Sequence, residues 1–579
     1  MILFITRYNY YKYKLYTNIH ILFTIYHLEM NIGQSLCFDD VLMEPLLSKI
    51  STRSSINLET NIATNGRNLI IKTPLISSPM DTVTETDMAI KMALNGGLGV
   101  IHRFMDIEAQ VSQITKVKRF LQYIIQEPYK ILPSTTLLEI EELRNTYNVS
   151  SFCVVDNMDT NRLLGIITKR DIEYMKQRQY DIQTSIQTTN YCDGINGITN
   201  SNDIDSNNDI YYINNNNAND MMTDTNYLIL QVYNFMSKNL ITLDVSMTLH
   251  SLETTLSIAK ELMLERKIEK IPIVNNGILI GLITLNNIKH YENNKSKACI
   301  DTNGALCVGA AIGIVDDYME RLDKLINVGV DLICIDVANG FNENVFKSII
   351  LIREKYREIV LMVGNVCNWQ GYQALCSYDV DCIRIGVGNG SICTTRLETG
   401  IGKGQFSAVS ECFRYKVENN TLPHIICDGG SLGKTGNKVK ALACGASAIM
   451  LGRTLASTEE SPGTIIYRNG KRFKYIRGMA STMANLSKQE KTENKTNTNN
   501  TNTKLKTKFT AEGVDGEQEL TGSVVDVIEQ INGGLKSGLS YLGCENIHQL
   551  HDKSFKGEIK FNLVTSIGMS ETGIRVKTY

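Results

Sequence analysis

The chain has 579 residues, 43% of them hydrophobic and 21% charged, so it can bury a large core and is long enough for more than one domain. Its formal net charge is −2, and with no global basic field it is not expected to bind nucleic acid. Fourteen cysteines are scattered without a CxxC pair or a His/Cys cluster, which suits a reducing compartment better than a disulfide scaffold or a zinc site.

Met1 to Glu29 is rich in Tyr, Ile and Phe but is interrupted by Arg7, Lys12 and Lys14. It lacks a clean apolar segment and a small-residue cleavage site. We read residues 1–29 as a non-structural extension ahead of Met30, not as a targeting signal. No stretch offers eighteen uninterrupted apolar residues, so no transmembrane helix and a cytoplasmic location are expected.

Eight short apolar segments, each followed by glycine or polar residues, then run along the two flanks. They are Leu75–Ser78, Gly97–Ile101, Ala305–Ala311, Leu332–Asp336, Ile359–Val363, Cys382–Val387, His424–Cys427 and Ala446–Leu451. Stretches of helical period separate most of them, such as Asp316–Asn327 and Asn344–Tyr356. Strand and helix alternating eight times predicts an α/β fold, a (β/α)8 TIM barrel; a doubly wound sheet is the alternative. The barrel is expected in two parts, residues 30–106 and 297–579.

Residues 107–296 interrupt the series and contain a repeat. Phe152-Cys-Val-Val-Asp-Asn and Leu164-Gly-Ile-Ile-Thr-Lys-Arg-Asp-Ile172 recur as Ile271-Pro-Ile-Val-Asn-Asn and Ile280-Gly-Leu-Ile-Thr-Leu-Asn-Asn-Ile288. Each copy reads as strand, turn, second strand and helix start, and two copies can bury the face that one leaves exposed. An Asn/Asp/Ser-rich tract from about Tyr180 to Asn226 separates them, and a Lys/Asn/Thr tract runs from Ser487 to Lys508. Neither can bury enough apolar area to fold alone.

The stretch Gly388-Asn-Gly-Ser-Ile-Cys-Thr-Thr-Arg396 follows the sixth apolar run. Glycines let a loop turn sharply and approach a ligand, and here they present one cysteine at a strand's C-terminal end. Most free cysteines are simply buried. A thiol on an open glycine loop instead suits covalent catalysis on an electrophilic carbon.

Several motifs occur together, in order: Phe38-Asp-Asp-Val41, Ser77-Ser-Pro-Met-Asp-Thr-Val83, Gly364-Asn-Val366 and the cysteine loop. Asp428-Gly-Gly430, Glu459-Glu-Ser-Pro-Gly463 and Arg477-Gly-Met479 follow. In this order and spacing the chain resembles the IMP dehydrogenase and GMP reductase family from about Ser35 onward, and the repeat resembles a tandem cystathionine-β-synthase (CBS) pair. The resemblance implies that Cys393 attacks C2 of a purine mononucleotide, with Thr395 and Glu460 as its catalytic partners. It implies substrate binding by Ser78, Met80, Ser391, Asp428, Gly429, Gly430, Gly452, Arg453, Gly478, Met479 and Glu512. Asp336, Asn339, Gly340 and Asn365 would bind the cofactor, and the carbonyls of Gly388, Gly390 and Cys393 a potassium ion. An adenine or guanine nucleotide effector at the CBS pair and a homotetramer that pairs into octamers are implied in the same way. The first repeat keeps Asp171 where CBS modules often contact ribose, whereas the second has Asn287.

The family offers two reactions. The dehydrogenases oxidise IMP to XMP with NAD and activate water with an Arg-Tyr pair on a flap. The reductases convert GMP to IMP and ammonia with NADPH and need no activated water. Here the corresponding stretch, Thr482 to Thr510, has no arginine and no tyrosine. Asp336-Val-Ala-Asn-Gly340, Ser407-Ala-Val-Ser-Glu-Cys412 and Gly478-Met-Ala-Ser-Thr-Met-Ala484 also resemble the reductases. Ser77-Ser-Pro-Met80 and the CBS insert are more typical of dehydrogenases. GMP reductase with NADPH is therefore the expectation, with NAD-dependent IMP dehydrogenase as the alternative and an inactive nucleotide-sensing homologue as a third reading.

Overall fold

A computed structural model describes residues 33–120, 124–125, 127–147, 149–192, 230–244, 252–294, 296–315, 317–431, 433–481, 484, 510–565 and 568. The extension 1–29, the lysine-rich tract, nearly all of 482–510 and the Asn-rich tract beyond Cys192 lie outside them.

Eight parallel strands close into a barrel: β1 Leu75–Ser77, β2 Leu98–Ile101, β3 Val308–Ile312, β4 Leu332–Asp336, β5 Val360–Val366, β6 Cys382–Ile385, β7 His424–Asp428 and β8 Ala448–Leu451. All eight fall on the expected apolar segments, with no end shifted by more than three residues. Their faces divide with period two, as a closed sheet wrapped by helices requires. Ile76, Leu98, Val100, Ala311, Leu332, Cys334, Met362, Cys382, Ile426 and Met450 fill the interior. Ile333, Ile335, Leu361, Val363, Ile383, Ile385, Ile425 and Ile449 pack outward against the helices.

Local chemistry sets where helices begin. Asn342 accepts from the Asn344 N–H ahead of helix Glu343–Lys355, and Asn368 accepts from the Gly371 N–H ahead of helix Trp369–Cys376. At the base of the barrel the fully buried Asp381 accepts from the backbone and hydroxyl of Thr64, from Arg67 Nε, from Arg353 Nη2 and from the Leu361 N–H. This end carries stability, and the opposite end carries the polar strand termini.

The insert begins later than expected. Helix Ile107–Phe120 belongs to the barrel: Gln110 is completely buried and donates to the carbonyls of Ile101, His102 and Ala311 while accepting from Arg321. Its length and apolar stripe resemble those of the repeat's helices, so sequence periodicity did not separate it. Beyond it, the two repeats form two sheets. Lys130–Ile131, Phe152–Val155 and Leu163–Ile167 make the first; Leu243–Asp244, Lys270–Asn275, Ile278–Thr284 and Ile124–Ile125 make the second. They share a core of Cys153, Val155, Ile166, Leu279 and Leu282, the burial that a single copy could not achieve. The chain leaves and re-enters the barrel at one place, where Lys118 Nζ meets Asp301 Oδ2 at 2.7 Å.

Candidate active site

The ends of β1, β2 and β4 to β7 with the loops beyond them, joined by residues 478–480 and 512–513, enclose a cleft of about 390 Å³. Cys393 lies in its wall, half-buried, on the loop after β6 and just before the single helical turn Thr395–Thr399. The cysteine loop is held as a strand edge. Thr394 N–H donates to the Glu512 carbonyl at 2.9 Å, and Val514 N–H donates to that of Ile392 at 3.0 Å. Gly478 closes the other side against Gly513, where a Cβ would come within 3.1 Å of the neighbouring Cα. Glycine at both positions is what allows three backbones to meet behind the thiol.

Cys393 Sγ stands 3.1 Å from Thr395 Oγ1, and that hydroxyl donates to Glu512 Oε2 at 2.8 Å. A thiol, a hydroxyl and a carboxylate therefore form one hydrogen-bonded chain. The expected partnership of Thr395 with Glu460 is not formed. Both oxygens of Glu460 are used elsewhere, accepting from Ser523 Oγ at 2.7 Å and from the Val524 N–H at 2.8 Å. Glu460 thus caps helix Val524–Tyr541, where free N–H groups favour a carboxylate. Glu512, expected only to bind substrate, is the carboxylate that reaches Thr395.

Ser78, Met80, Asp336, Asn365, Gly388, Gly390, Thr395, Asp428, Gly429, Gly478, Met479 and Glu512 line the same cleft. Arg477 Nε donates to Asp81 Oδ2 at 2.8 Å and ties the Met479 segment to the loop after β1. Other expected residues are not among the lining. Ser391 is exposed, Arg453 Nε donates to Gln518 Oε1 and Gly430 faces Gln405. Gly452 sits behind Met80, with a Cβ there 3.3 Å from the sulfur. Asn339 accepts from the Phe341 N–H, and Gly340 N–H donates to the Asn365 carbonyl at 2.8 Å.

The sequence reading missed Arg384, Arg103, Phe104 and Asn389, all in the lining. Arg384 is an isolated arginine within an apolar strand; its period-two register with inward Cys382 was the available signal. Its Nη1 donates to Asp336 Oδ1 and its Nη2 to Asp428 Oδ2, both at 2.7 Å. Burial opposes its charge, but Asp428 and Asp336 outweigh that and hold its proton well above the ordinary arginine range. Asn389 donates to the Asp428 carbonyl at 2.8 Å and fixes the loop to β7. Arg103 has a buried Nε with no protein partner among the described residues, and its guanidinium lies 5.1 Å from the centre of the Phe104 ring. An arginine in a cleft wall with an N–H left unpartnered suits an anionic ligand.

Of the carbonyls assigned to potassium, that of Gly390 already accepts the Cys393 N–H at 3.1 Å. Among the described residues there is no group of three His, Cys, Asp or Glu side chains that could hold a metal, and no helix long and apolar enough to cross a membrane.

Residues 35–575 match the IMP dehydrogenase / GMP reductase domain. The chain is 34% identical over 528 residues to the inosine-5'-monophosphate dehydrogenase of Nitrosopumilus maritimus, covering 91% of this chain and 96% of that one. It is also 34% identical over 546 residues to that of Bacillus subtilis, covering 93% and 95%. The fold is similar to a GMP reductase from Trypanosoma brucei crystallised with guanosine 5'-monophosphate, with a TM-score of 0.75, 30% identity and coverage of 95% and 99%. The same enzyme crystallised with guanosine 5'-triphosphate is similar at a TM-score of 0.66 and 27% identity.

Proposed function

The chain belongs to the IMP dehydrogenase / GMP reductase family, oxidoreductases that act on purine nucleotides with a nicotinamide dinucleotide, and from that premise we propose that it is a GMP reductase using NADPH. The observation that carries the direction is the composition of residues 482–510. A dehydrogenase must activate water to release XMP, and this stretch has no arginine or tyrosine to do so. The cysteine's own relay supplies what a reductase needs.

In this reading Cys393 Sγ bonds to C2 of GMP and the exocyclic C–N bond breaks. The thiol's proton passes through Thr395 Oγ1 to Glu512, then returns by the same hydroxyl to the departing nitrogen, which leaves as ammonia. The proton lost by sulfur is the one the amino group gains, so this half-reaction needs no water. A bound dinucleotide would supply the hydride for C2; Cys393 Sγ takes the C–S bonding pair as thiolate, IMP is released, and the thiolate regains a proton from solvent before the next turnover. Asp428 would hold the ribose, while Ser78, Met80, Gly478 and Met479 would hold the base. The phosphate falls to Gly429 and the neighbouring Ser391, Gly430, Gly452 and Arg453. Asp336 and Asn365 would face the dinucleotide, with Asn339 and Gly340 supporting that loop from behind. Potassium at the Gly388, Gly390 and Cys393 carbonyls is assigned no step.

A second cleft, of about 590 Å³, lies between the barrel helix Ile107–Phe120 and the insert, and we assign it to a purine nucleotide effector. Lys116, Arg119, Lys270 and Lys289 line it with Tyr129 and Tyr147, whose ring centres are 4.7 Å apart. Asp171 of the first repeat is engaged by the Thr168 N–H and hydroxyl, both at 2.7 Å.

IMP dehydrogenase is the second reading, favoured by the names of the curated relatives. Paired assays of nicotinamide absorbance, with GMP plus NADPH and with IMP plus NAD, separate the two. NADPH loss that depends on GMP supports the proposal, and NADH formation from IMP overturns it. Silence in both arms would leave the inactive sensor.

A further inference from the structure

We infer that Arg384 is a positioning residue that couples the substrate subsite to the cofactor subsite, because its single guanidinium sets the orientation of both Asp336 and Asp428. The inference rests on the reading above for what each carboxylate binds.

The strand register brings the three together. Asp336 pairs with Gly364 and Gly364 with Arg384, so they form one row across β4, β5 and β6. Arg384 pairs with Ile426 of β7, two residues short of Asp428. Alternation from the interior residues Cys334, Cys382 and Ile426 turns all three polar residues inward, as the uppermost layer of the barrel. Gly364 makes this layer possible. A Cβ at that position would lie 2.5 Å from Arg384 Cβ, so any side chain there would displace the arginine stem from its path between Asp336 and Asp428.

The division of donors gives the layer its function. Arg384 is only 5% exposed, and each of its terminal nitrogens holds one aspartate. Asn365 Nδ2 adds a second bond to the same oxygen of Asp428, at 2.8 Å. Asp336 Oδ1 and Asp428 Oδ2 are thus pinned. No hydrogen bond within the described residues engages Asp336 Oδ2 or Asp428 Oδ1, and the two side chains line the cleft with 20% and 17% of their surface exposed, so both oxygens remain available to ligands. Without the guanidinium, two carboxylates would face one small cleft with their repulsion uncompensated, Asp336 with its torsion unset and Asp428 held by Asn365 alone. Lysine cannot replace it, because an ammonium lacks the fork that holds two carboxylates in fixed directions. A ligand that draws on one aspartate therefore acts on the other through the shared arginine, and by linkage the effect is reciprocal.

The test is a set of equilibrium titrations of GMP and NADPH, and of IMP and NAD, each alone and with its partner bound. Proteins carry Asp336→Asn, Arg384→Lys or both. In the otherwise wild-type protein, Asp336→Asn should weaken nucleotide binding by about tenfold although Asp336 is assigned to the cofactor. In the Arg384→Lys background the same change should move nucleotide affinity by less than about twofold, because the coupling is already gone. A purely structural arginine would lower thermal stability and leave this cross-effect in place. The inference is overturned if Asp336→Asn changes cofactor affinity alone in the wild-type background, a result that does not depend on how well Arg384→Lys folds. Coupling confined to the IMP and NAD pair would sink the reductase reading and leave this one standing.

Discussion

Glu512→Gln tests the relay most sharply because the backbone that carries Glu512 should not move. Its N–H donates to Ala480 at 3.1 Å and its carbonyl accepts from Thr394 at 2.9 Å, bonds that a glutamine keeps. The amide can still accept from Thr395 but cannot take and return a proton. A hydrogen bond to a charged group contributes about 1.5–3 kcal/mol, and loss of acid–base function costs about 10²–10⁴ in rate. We expect kcat for GMP to fall about a hundredfold or more, with the GMP dissociation constant changed by less than about threefold, which is under about 0.7 kcal/mol. Rapid-quench measurement of ammonia should show the loss in the deamination step. Glu460→Gln is the control: it weakens a helix cap by about 0.3–1 kcal/mol and should lower the melting temperature while kcat stays within about twofold. Near-normal turnover in Glu512→Gln beside a collapse in Glu460→Gln would refute the relay as drawn.

Cys393→Ala should abolish turnover yet bind GMP within about threefold of wild type by calorimetry, since the other lining groups are untouched. Asp381→Asn should destabilise the protein by about 3–5 kcal/mol in denaturant unfolding, because Arg353 and Arg67 lose a buried partner; a loss under about 1 kcal/mol would contradict this. Burial pushes His424 and His551 down to about 4, so both stay neutral in the fold while the unfolded chain takes up protons below about 6.5. Stability should therefore fall as pH drops from about 6.5 towards 4, by up to about 3 kcal/mol for each histidine, and His551→Gln should flatten the melting profile over that window. Deleting residues 121–296 should preserve turnover and remove nucleotide binding at the insert, since the chain ends meet where Lys118 pairs with Asp301. A folded deletion without activity would show that the insert shapes the cleft.

The barrel was legible because its strands are continuous apolar runs punctuated by glycine, and the cysteine loop because its spacing is distinctive. Residues that act through register were not. Arg384, Asp336 and Asp428 lie 92 positions apart from first to last and meet only when three strands align, which no local window contains. Glu460 misled for the same reason. The family resemblance placed it beside Thr395, but a helix N-terminus more than sixty residues later claims both of its oxygens. Glu512 lies beyond a lysine-rich tract that offers no periodicity to anchor it, and its approach to Thr395 depends on strand-like pairing with the cysteine loop. The helix Ile107–Phe120 was assigned to the wrong domain because a stripe of apolar residues does not say which core it faces.

The central claim is that Cys393 and its relay exchange the amino group of GMP for hydride at C2. Turnover of GMP with NADPH deuterated at the transferable position tests it directly, with the products read by mass spectrometry and the ammonia counted. The account predicts IMP carrying one deuterium at C2 and one ammonia for each dinucleotide oxidised. GMP left unlabelled and unconsumed, with XMP formed instead from IMP and NAD, would contradict it.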